Sequence, residues 1–576
     1  MSASCRCPSP AAPWWLRKRP SSAGASLVLL TAFAFLPIIV WGGWVWDDLK
    51  YIVWNPRLLD GDGLYALWFE PGRRADAFGQ PLAEQDVYWW PLLYSTFWLE
   101  RWLWGSFYAP GFHTTNVAIH CANVWLVWAL LRRFAVPGAW LIALVFAVHP
   151  GQMVAPALVM GRKELLSTLC VLLAVWSWFP SGRDPSAPVS WKRVTMVCLL
   201  VVVGSLFKTQ AVVIPAAVAA VHWWQTGRLT RVFWVRLAPV VGVSAMMAGL
   251  AWYLFAVVSY SNYHDFTFIE RVLIAARSLW WHGFLSLVPV ESVLRLWRWE
   301  VSATAPLGWL ALASCVGGLV VLCRCSSRSR SPLAAALWFV IGVSPILGVI
   351  DHKALGLSFA FSRHRYLSSI ASIALVVGFA CRWLRAHGSA GVQAVGRIAA
   401  VSFVLLCVFT DLRYSFVFTI PSAWYTHMAH YEPERDWLQS NVVWALSAEG
   451  RHEEAVAVAQ RNANADPSRL RFRRDLGFAY ALAGDPARAM VQYQVVADAL
   501  EADPSLMLPD ERLQRREHTR QMPLTQQEVH YLRFAYGSLL ACEGQKAAAE
   551  HQHRLARQLY PHADLDQTFE DDPHGC

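Results

Sequence analysis

Two adjacent carboxylates, Asp47 and Asp48, directly follow the first long apolar run of the chain. Trp41, Trp44 and Trp46 precede them, as aromatic side chains do where a helix leaves a bilayer. A carboxylate beside lipid can take the proton of a hydroxyl group within hydrogen-bond reach, which is general base catalysis. The alternative is a solvated helix end, where acidic residues are common. The surrounding elements decide between the two.

The composition indicates a polytopic membrane protein followed by a more polar region. Of 576 residues, 56% are hydrophobic and 16% are charged, whereas soluble domains have about 25% charged residues. The net charge of +10 lies mostly in short loops between apolar runs, so it indicates topology and not nucleic-acid binding. The basic start resembles a signal peptide, but no clear cleavage site follows, and we interpret it as an uncleaved first span.

Apolar runs of about 20 residues, or fewer where a helix is broken or buried, predict about 11 spans within 23–420. They lie near 23–44, 112–131, 138–150, 164–179, 194–207, 210–224, 237–258, 305–323, 333–350, 366–383 and 398–418. Basic loops place segment 1–22 in the cytoplasm and the C-terminus outside, as in a multi-pass inner-membrane protein. The run 271–289 breaks this parity, so we predict that it re-enters the outer leaflet. The first outer loop, 45–111, is Trp-rich and predicts interfacial helices.

Several basic residues fall on the predicted outer side, against the usual bias towards the cytoplasm. They are Arg162, Lys163, Lys208, Arg271, Arg277 and the group Arg363-His364-Arg365. Snorkelling to ordinary lipid headgroups explains any single one of them. Four separate clusters facing one compartment favour a site for a lipid-borne phosphate or pyrophosphate.

Four polar residues, His113, Asn116, His120 and Asn123, fall on one face of a predicted helix. Zinc would need further ligands at suitable spacing, and the sequence offers none. Polar contacts between helices are the better interpretation. No metal ligand is assigned.

A 34-residue period begins in the polar region, which we assign to 431–563. Gly450, Gly484 and Gly544 recur at its turns, and small residues recur where helices would cross. This pattern is typical of tetratricopeptide repeats, which stack into an α-solenoid. We predict repeats near 436–469, 470–503 and 530–563, an insertion at 505–529 and an acidic tail at 564–576. The predicted fold class is all-α, a transmembrane bundle followed by this solenoid.

Together these stretches resemble a bacterial family of polytopic membrane proteins with C-terminal tetratricopeptide repeats. That family is related to the transmembrane-and-tetratricopeptide protein O-mannosyltransferases of animals and to C-type glycosyltransferases. The matching stretches are WDDLKYIVWNP at 46–56, YWWPLLY at 88–94, GFHTTNVAIHCANVWLVWALLRR at 111–133, HPGQMVAPALVMGRKELLSTL at 149–169, SLFKTQAVVIP at 205–215, RVLIAARSLWW at 271–281 and RHRYLSSIAS at 363–372. Their order and spacing make the resemblance specific.

The resemblance implies a glycosyltransferase that uses a polyprenyl-phosphate sugar, mannose or similar, as donor. It implies that Asp47 or Asp48 is the general base, while the neighbour orients the acceptor or binds a metal. A divalent ion is possible in such enzymes, but none is predicted. The donor phosphate would be held by Arg162, Lys163, Lys208, Arg277 and Arg365. The repeats would present a protein or glycan acceptor outside the cytoplasm, and single displacement would invert the anomeric carbon.

Two other functions compete with this one. A non-catalytic membrane scaffold would use the repeats to recruit partners for envelope assembly, and it predicts that the two aspartates are solvated and distant from the basic residues. A transporter is disfavoured because few acidic residues lie within the predicted spans. Which aspartate is the base is left open.

Overall fold

The computed structural model describes residues 20–59, 61–70, 89–182, 184–258, 266–289, 298–349, 354–508 and 524–559. Within these ranges the chain is almost entirely helical, as predicted. Two short strands, Met507–Leu508 and Leu524–Thr525, pair in parallel at the edges of the predicted insertion. Most of the predicted N-terminal segment 1–22, and all of the tail 564–576, lie outside the described residues.

The first part of the bundle contains helices α1 to α11. They are Pro20–Ala34, Leu36–Trp41, Pro56–Leu59, Gly63–Phe69, Pro91–Trp104, Ala109–Arg133, Ala139–Val148, Val154–Ala157, Arg162–Trp178, Trp191–Phe207 and Ile214–Thr226. A π-helical turn, Leu49–Val53, follows the two aspartates. Tight 3-10 turns occupy Pro150–Gln152, Val159–Gly161 and Thr209–Val213.

The second part contains α12 to α19, which are Arg231–Val258, Phe268–Leu285, Pro306–Cys325, Ser331–Val343, Ala354–Leu357, Tyr366–His387, Ala390–Ser415 and Pro421–Tyr431. Its 3-10 turns are Ser344–Ile346, Ser362–Arg365 and Phe416–Phe418. The C-terminal region contains α20 to α25, which are Asp436–Ala448, His452–Ala465, Leu470–Leu482, Pro486–Ala502, Gln526–Cys542 and Lys546–Leu559. A 3-10 turn, Pro504–Leu506, follows α23.

Helix boundaries follow local chemistry. Helix α6 has a proline in its first turn, where the missing amide costs no hydrogen bond, and Arg132 and Arg133 in its last turn, where they oppose the helix dipole. Helix α13 begins with a capping box between Thr267 and Glu270. The extended backbone of His149, followed by Pro150, ends α7 after ten residues.

In the part of the chain that the structure describes, five helices are long and apolar enough to cross a bilayer, so the protein is a membrane protein. They are Ala109–Arg133, Arg231–Leu254, Pro306–Cys325, Ser362–His387 and Ala390–Phe418. Large apolar side chains stand exposed along two of them, such as Leu310 at 65% and Leu405 at 61%, as expected of lipid-facing surface. The other predicted spans also fall on helices, several of them short, and the count of about 11 stays a prediction.

The two ends of helix α9 contact different groups of basic residues. At its C-terminal end, Arg133 and Arg193 donate hydrogen bonds to the carbonyls of Trp176 and Ser177. The predicted cytoplasmic residues therefore lie at one end, and Arg162 and Lys163 lie at the other. The two groups of basic residues are thus separated along α9, and their sidedness stays a prediction.

The polar face of helix α6 is buried in contacts with other elements, as the sequence suggests. His113, Asn116, His120 and Asn123 are all fully buried. The ring of His120 contacts the hydroxyl of Tyr366 at 2.6 Å and the carbonyl of Ala147 at 3.0 Å. These contacts tie α6 to α7 and α17.

Three helical hairpins coincide with the three predicted repeats. The glycines at their turns, Gly450, Gly484 and Gly544, all have positive φ, between 74° and 78°, where a side chain would be strained. The two helices of the second hairpin pack so closely that a Cβ on Gly477 would lie 2.6 Å from Tyr493 Cε1. The hairpins have the geometry that the periodicity predicts, and their tetratricopeptide assignment stays a prediction.

A separate hydrophobic cluster supports the carboxylates. Ile52 and Leu58 of the first outer loop pack with Phe112 of α6 and with Val159 and Met160. This cluster fixes the turn Val159–Gly161 against the loop that begins at Asp47.

Candidate functional site

The segment before the two aspartates is held in an unusual backbone conformation. Gly43 donates its amide to the Phe418 carbonyl at 2.9 Å, and a Cβ on Gly43 would lie 2.0 Å from the carbonyl oxygen of Thr419. Trp46 has a φ of +48°, which a bulky residue adopts only when its surroundings impose it. This conformation turns the chain sharply and directs the next two side chains into the bundle.

Asp48 is fully buried, and both of its oxygens bind backbone amides. Oδ2 accepts from Val159 at 3.0 Å and Oδ1 from Met160 at 2.7 Å. Burial raises the pKa of Asp48 to about 7, helped by the charge of Asp47 and opposed by the two amides. Asp48 therefore anchors the turn before helix α9 to the first outer loop.

Asp47 is placed differently, although it is the adjacent residue. Its Oδ2 forms a 2.7 Å ion pair with Nη1 of Arg363, and its side chain is 12% exposed. Among the described residues, no hydrogen bond reaches its Oδ1. Burial favours a higher pKa for Asp47, but Arg363, Lys163 and Lys50 together hold that pKa below its ordinary value. Asp47 is thus an ionised carboxylate with one oxygen still able to accept a proton.

Lys163 lies close to Asp47 and is almost buried, at 7% exposed. Its ammonium stands 4.9 Å from the centre of the Trp90 ring. In the part of the chain that the structure describes, it forms no hydrogen bond and no ion pair. An ammonium buried in this way is costly unless an anion joins it.

Lys208 and His364 converge on Glu164. Nζ of Lys208 lies 2.9 Å from Oε1 of Glu164 and 3.4 Å from Nδ1 of His364. The same ring nitrogen lies 3.6 Å from Glu164 Oε1. Lys208 also lies near enough to Lys163 for their charges to interact. Unlike the charge of Lys163, that of Lys208 is already balanced in part by Glu164.

Arg162 is fully buried and well supplied with partners. It pairs with Glu100 at 2.8 Å and donates to Asn116 at 2.8 Å, to Thr96 at 3.2 Å and to the Phe112 carbonyl at 3.1 Å. These contacts fasten α5, α6 and the start of α9 together. Its guanidinium lies near enough to Asp48 to feel that charge.

The structure does not bring the last two predicted residues to Asp47. Arg277 lies over the ring of Trp299, 4.4 Å from its centre, in a cluster with Phe359. Arg365 is fully buried and stands beside Gly151, where a Cβ would lie 2.7 Å from its Nη2. Arg365 therefore faces the His149 side of the bundle, while Arg363 faces Asp47.

Three charged residues without a predicted role pair with the aspartates or with the predicted basic residues. Arg363 belongs to the basic group on the predicted outer side, and it pairs with Asp47 where the family resemblance implies a role for Arg365. Glu164 and Glu100, which balance Lys208 and Arg162, gave no signal beyond their charge within apolar stretches, which could have been used. Among the described residues, no group of three or more His, Cys, Asp or Glu side chains could hold a metal ion.

The known proteins that are similar to this chain share one name, protein O-mannosyl-transferase. A stretch of 213 residues is 31% identical to Protein O-mannosyl-transferase Tmtc1 of Drosophila melanogaster, covering 36% of this chain and 23% of that protein. The chain is related to these O-mannosyltransferases. Tmtc2 of the same species is 29% identical over 30% of this chain and 18% of its own length. TMTC3 of Mus musculus is 30% identical over the same two shares.

The matched stretch spans less than a quarter of the length of these relatives, 23% at most among the three. The likeness to O-mannosyltransferases therefore belongs to part of each chain. No family model and no solved structure matches the chain.

Proposed function

We propose that this protein transfers a sugar, mannose or a similar one, from a polyprenyl-phosphate donor to a hydroxyl group of a protein or glycan. The reaction takes place on the extracytoplasmic side of the membrane. The observation that carries this proposal is the closeness of two groups. One is Oδ1 of Asp47, which no hydrogen bond reaches among the described residues, and the other is the buried ammonium of Lys163, which has no ion-pair partner among them. The carboxylate oxygen can accept a proton, and the ammonium can bind a phosphate.

Asp47 is the general base. Its Oδ1 accepts the proton of the acceptor hydroxyl while the hydroxyl oxygen forms a bond to the anomeric carbon. Asp48 is unsuited to this role because both of its oxygens are bound to amides inside the protein. Asp48 instead fixes the backbone from which Asp47 projects, and Arg363 holds Asp47 ionised and in place.

Lys163 receives the departing phosphate. As the new bond forms, the bond between the anomeric carbon and the phosphate oxygen breaks, and the electron pair leaves with the phosphate. A fixed positive charge in a dry site stabilises the developing negative charge strongly. Lys208 contributes less to this stabilisation, because Glu164 already balances its charge in part. A single displacement of this kind inverts the anomeric carbon.

Arg162 acts in this proposal as a positioning residue, because its donors are committed to Glu100, Thr96, Asn116 and Phe112. The scaffold alternative expects two solvated aspartates far from the basic residues. Buried aspartates beside Lys163 support the enzyme instead.

The test is sugar transfer from polyprenyl-phosphate mannose, then from other polyprenyl-phosphate sugars, by membranes carrying single variants. Asp47→Asn should abolish product by removing the proton acceptor while keeping the size of the side chain. Asp62→Asn, which changes an exposed acid of the same loop, is the matched control and should retain full activity. Product from Asp47→Asn at the wild-type rate would reject the assigned base, and absence of product from the wild type with every donor would favour the scaffold.

A further inference from the structure

The helix that joins the bundle to the repeats lies directly against the carboxylate segment. This linker helix, α19, follows the turn Phe416–Phe418, whose last carbonyl accepts the amide of Gly43. The ring of Trp424 in the linker helix packs edge-on against the ring of Trp46, with centres 5.2 Å apart. Trp424 is 1% exposed, so this contact is a fixed part of the core.

Tyr425 follows Trp424 just as Asp47 follows Trp46, so the contact between the two tryptophan rings places both residues at the junction of the linker helix and the carboxylate segment. Burial, together with the charge of Asp47, raises the pKa of Tyr425 to about 12. The phenol therefore keeps its proton at neutral pH and is a hydrogen-bond donor. In the described part of the chain, its hydroxyl forms no hydrogen bond, and its side chain is partly exposed.

The linker helix is also fastened to the first repeat. Glu449, at the turn of the first hairpin, accepts from the amide and the hydroxyl of Ser422 at 2.8 and 2.6 Å. Arg451 donates to the same hydroxyl at 3.0 Å. Further out, Trp54 of the first outer loop packs against Trp444 of the first repeat, with ring centres 5.7 Å apart. The first repeat is thus attached to the linker helix, which carries Tyr425.

We propose that Tyr425 is an acceptor-positioning residue, whose phenol donates a hydrogen bond to the acceptor oxygen and holds that oxygen beside Oδ1 of Asp47. This inference rests on the proposed function and names the acceptor side of its site. A hydroxyl has one proton to give and lone pairs to receive. With its proton on Asp47 and one lone pair on Tyr425, the oxygen keeps a second lone pair for the anomeric carbon. Orientation of this kind lowers the barrier to reaction.

The arrangement also explains why the linker helix is built into the site. An acceptor polypeptide bound along the repeats would reach Asp47 past a residue of the connection itself. The acceptor class that fits is a hydroxyl-bearing side chain of an extended polypeptide. A free sugar would gain nothing from the attachment of Ser422 to Glu449.

The test compares Tyr425→Phe with wild type in detergent-solubilised full-length protein, with a hydroxyl-bearing peptide as acceptor. We expect the KM for the acceptor to rise about tenfold, the value of one hydrogen bond. The KM for the polyprenyl-phosphate donor and the Tm should be unchanged. Tyr65→Phe, at a tyrosine of the first outer loop that is 62% exposed, is the matched control and should resemble the wild type.

Each outcome decides the inference. An unchanged acceptor KM in active Tyr425→Phe protein overturns it and leaves the proposed function intact. An equal change in donor KM, or a fall in Tm, assigns Tyr425 a structural role and overturns it as well. Absence of transfer by the wild type overturns the proposed function and this inference together.

Discussion

Glu164 and Lys208 form a 2.9 Å ion pair in which both side chains are almost completely buried, at 2% and 8% exposed. Lys163 lies beside this pair and is equally buried, but it has no ion-pair partner among the described residues. Two lysines of one small region therefore differ in their electrostatic balance. We infer that the charge of Lys208 is structural and that the charge of Lys163 is kept for a ligand.

Substitution of the two lysines should separate these roles. Lys163→Met should raise the KM for the polyprenyl-phosphate donor about tenfold or more, because a charge-assisted contact to phosphate is lost, with little loss of stability. Lys208→Met should lower the stability by about 3–5 kcal/mol, because Glu164 is left buried and uncompensated. Donor kinetics and thermal unfolding in detergent measure the two effects.

Two further variants control this experiment. The double variant Glu164→Gln/Lys208→Met should regain most of the stability lost by Lys208→Met. Lys192→Met, at an exposed lysine on the predicted cytoplasmic side, should change neither quantity. A donor KM unaffected by Lys163→Met would show that the phosphate lies elsewhere.

Asp48 should make stability depend on pH in a direction opposite to that of most carboxylates. Its pKa in the folded protein, about 7, lies above the ordinary 3.8, so folding favours its protonated form. The stabilising contribution is complete below pH 3.8 and is lost as the pH rises to about 7. The full difference corresponds to about 4 kcal/mol at most.

Thermal unfolding of the wild type and Asp48→Asn between pH 4 and pH 8 measures this contribution. Because other groups titrate in both proteins, the difference between the two isolates Asp48. We expect the wild type to lose stability relative to Asp48→Asn as the pH rises. A gain of relative stability would mean that the amides of Val159 and Met160 outweigh burial, and that Asp48 is ionised.

The second hairpin of the C-terminal region allows two glycine roles to be distinguished. Gly484→Ala should cost about 1 kcal/mol, because its φ of +78° strains a residue with a Cβ although the space around it is open. Gly477→Ala should cost about 1–3 kcal/mol through overpacking against Tyr493. Chemical unfolding followed by circular dichroism gives both values.

A Tyr493→Leu background serves as the control for this pair. Removal of the ring should abolish most of the added cost of Gly477→Ala and should leave that of Gly484→Ala unchanged. If Gly477→Ala costs the same in the two backgrounds, the close approach of the Tyr493 ring does not explain the need for glycine at position 477.

Local patterns in the sequence were sufficient to predict the helices and their roles in packing. The polar face of His113, Asn116, His120 and Asn123 follows from the spacing of a helix alone. The turn glycines of the hairpins follow from the 34-residue period. Each of these features depends on spacing along the chain and not on contacts between distant segments.

The composition of the site depended on tertiary structure. Arg363 and Arg365 are two residues apart in a 3-10 turn, whose three residues per turn direct them to different sides. Only the packing of the bundle decides that Arg363 meets Asp47, which lies 316 positions away in the sequence. The same packing pairs Arg162 with Glu100 and Lys208 with Glu164. It leaves Lys163 without an ion-pair partner among the described residues. The sequence by itself determined which charges are held among apolar helices; because burial forces each charge to find its balance in three dimensions, the tertiary structure determined which of them are left for chemistry.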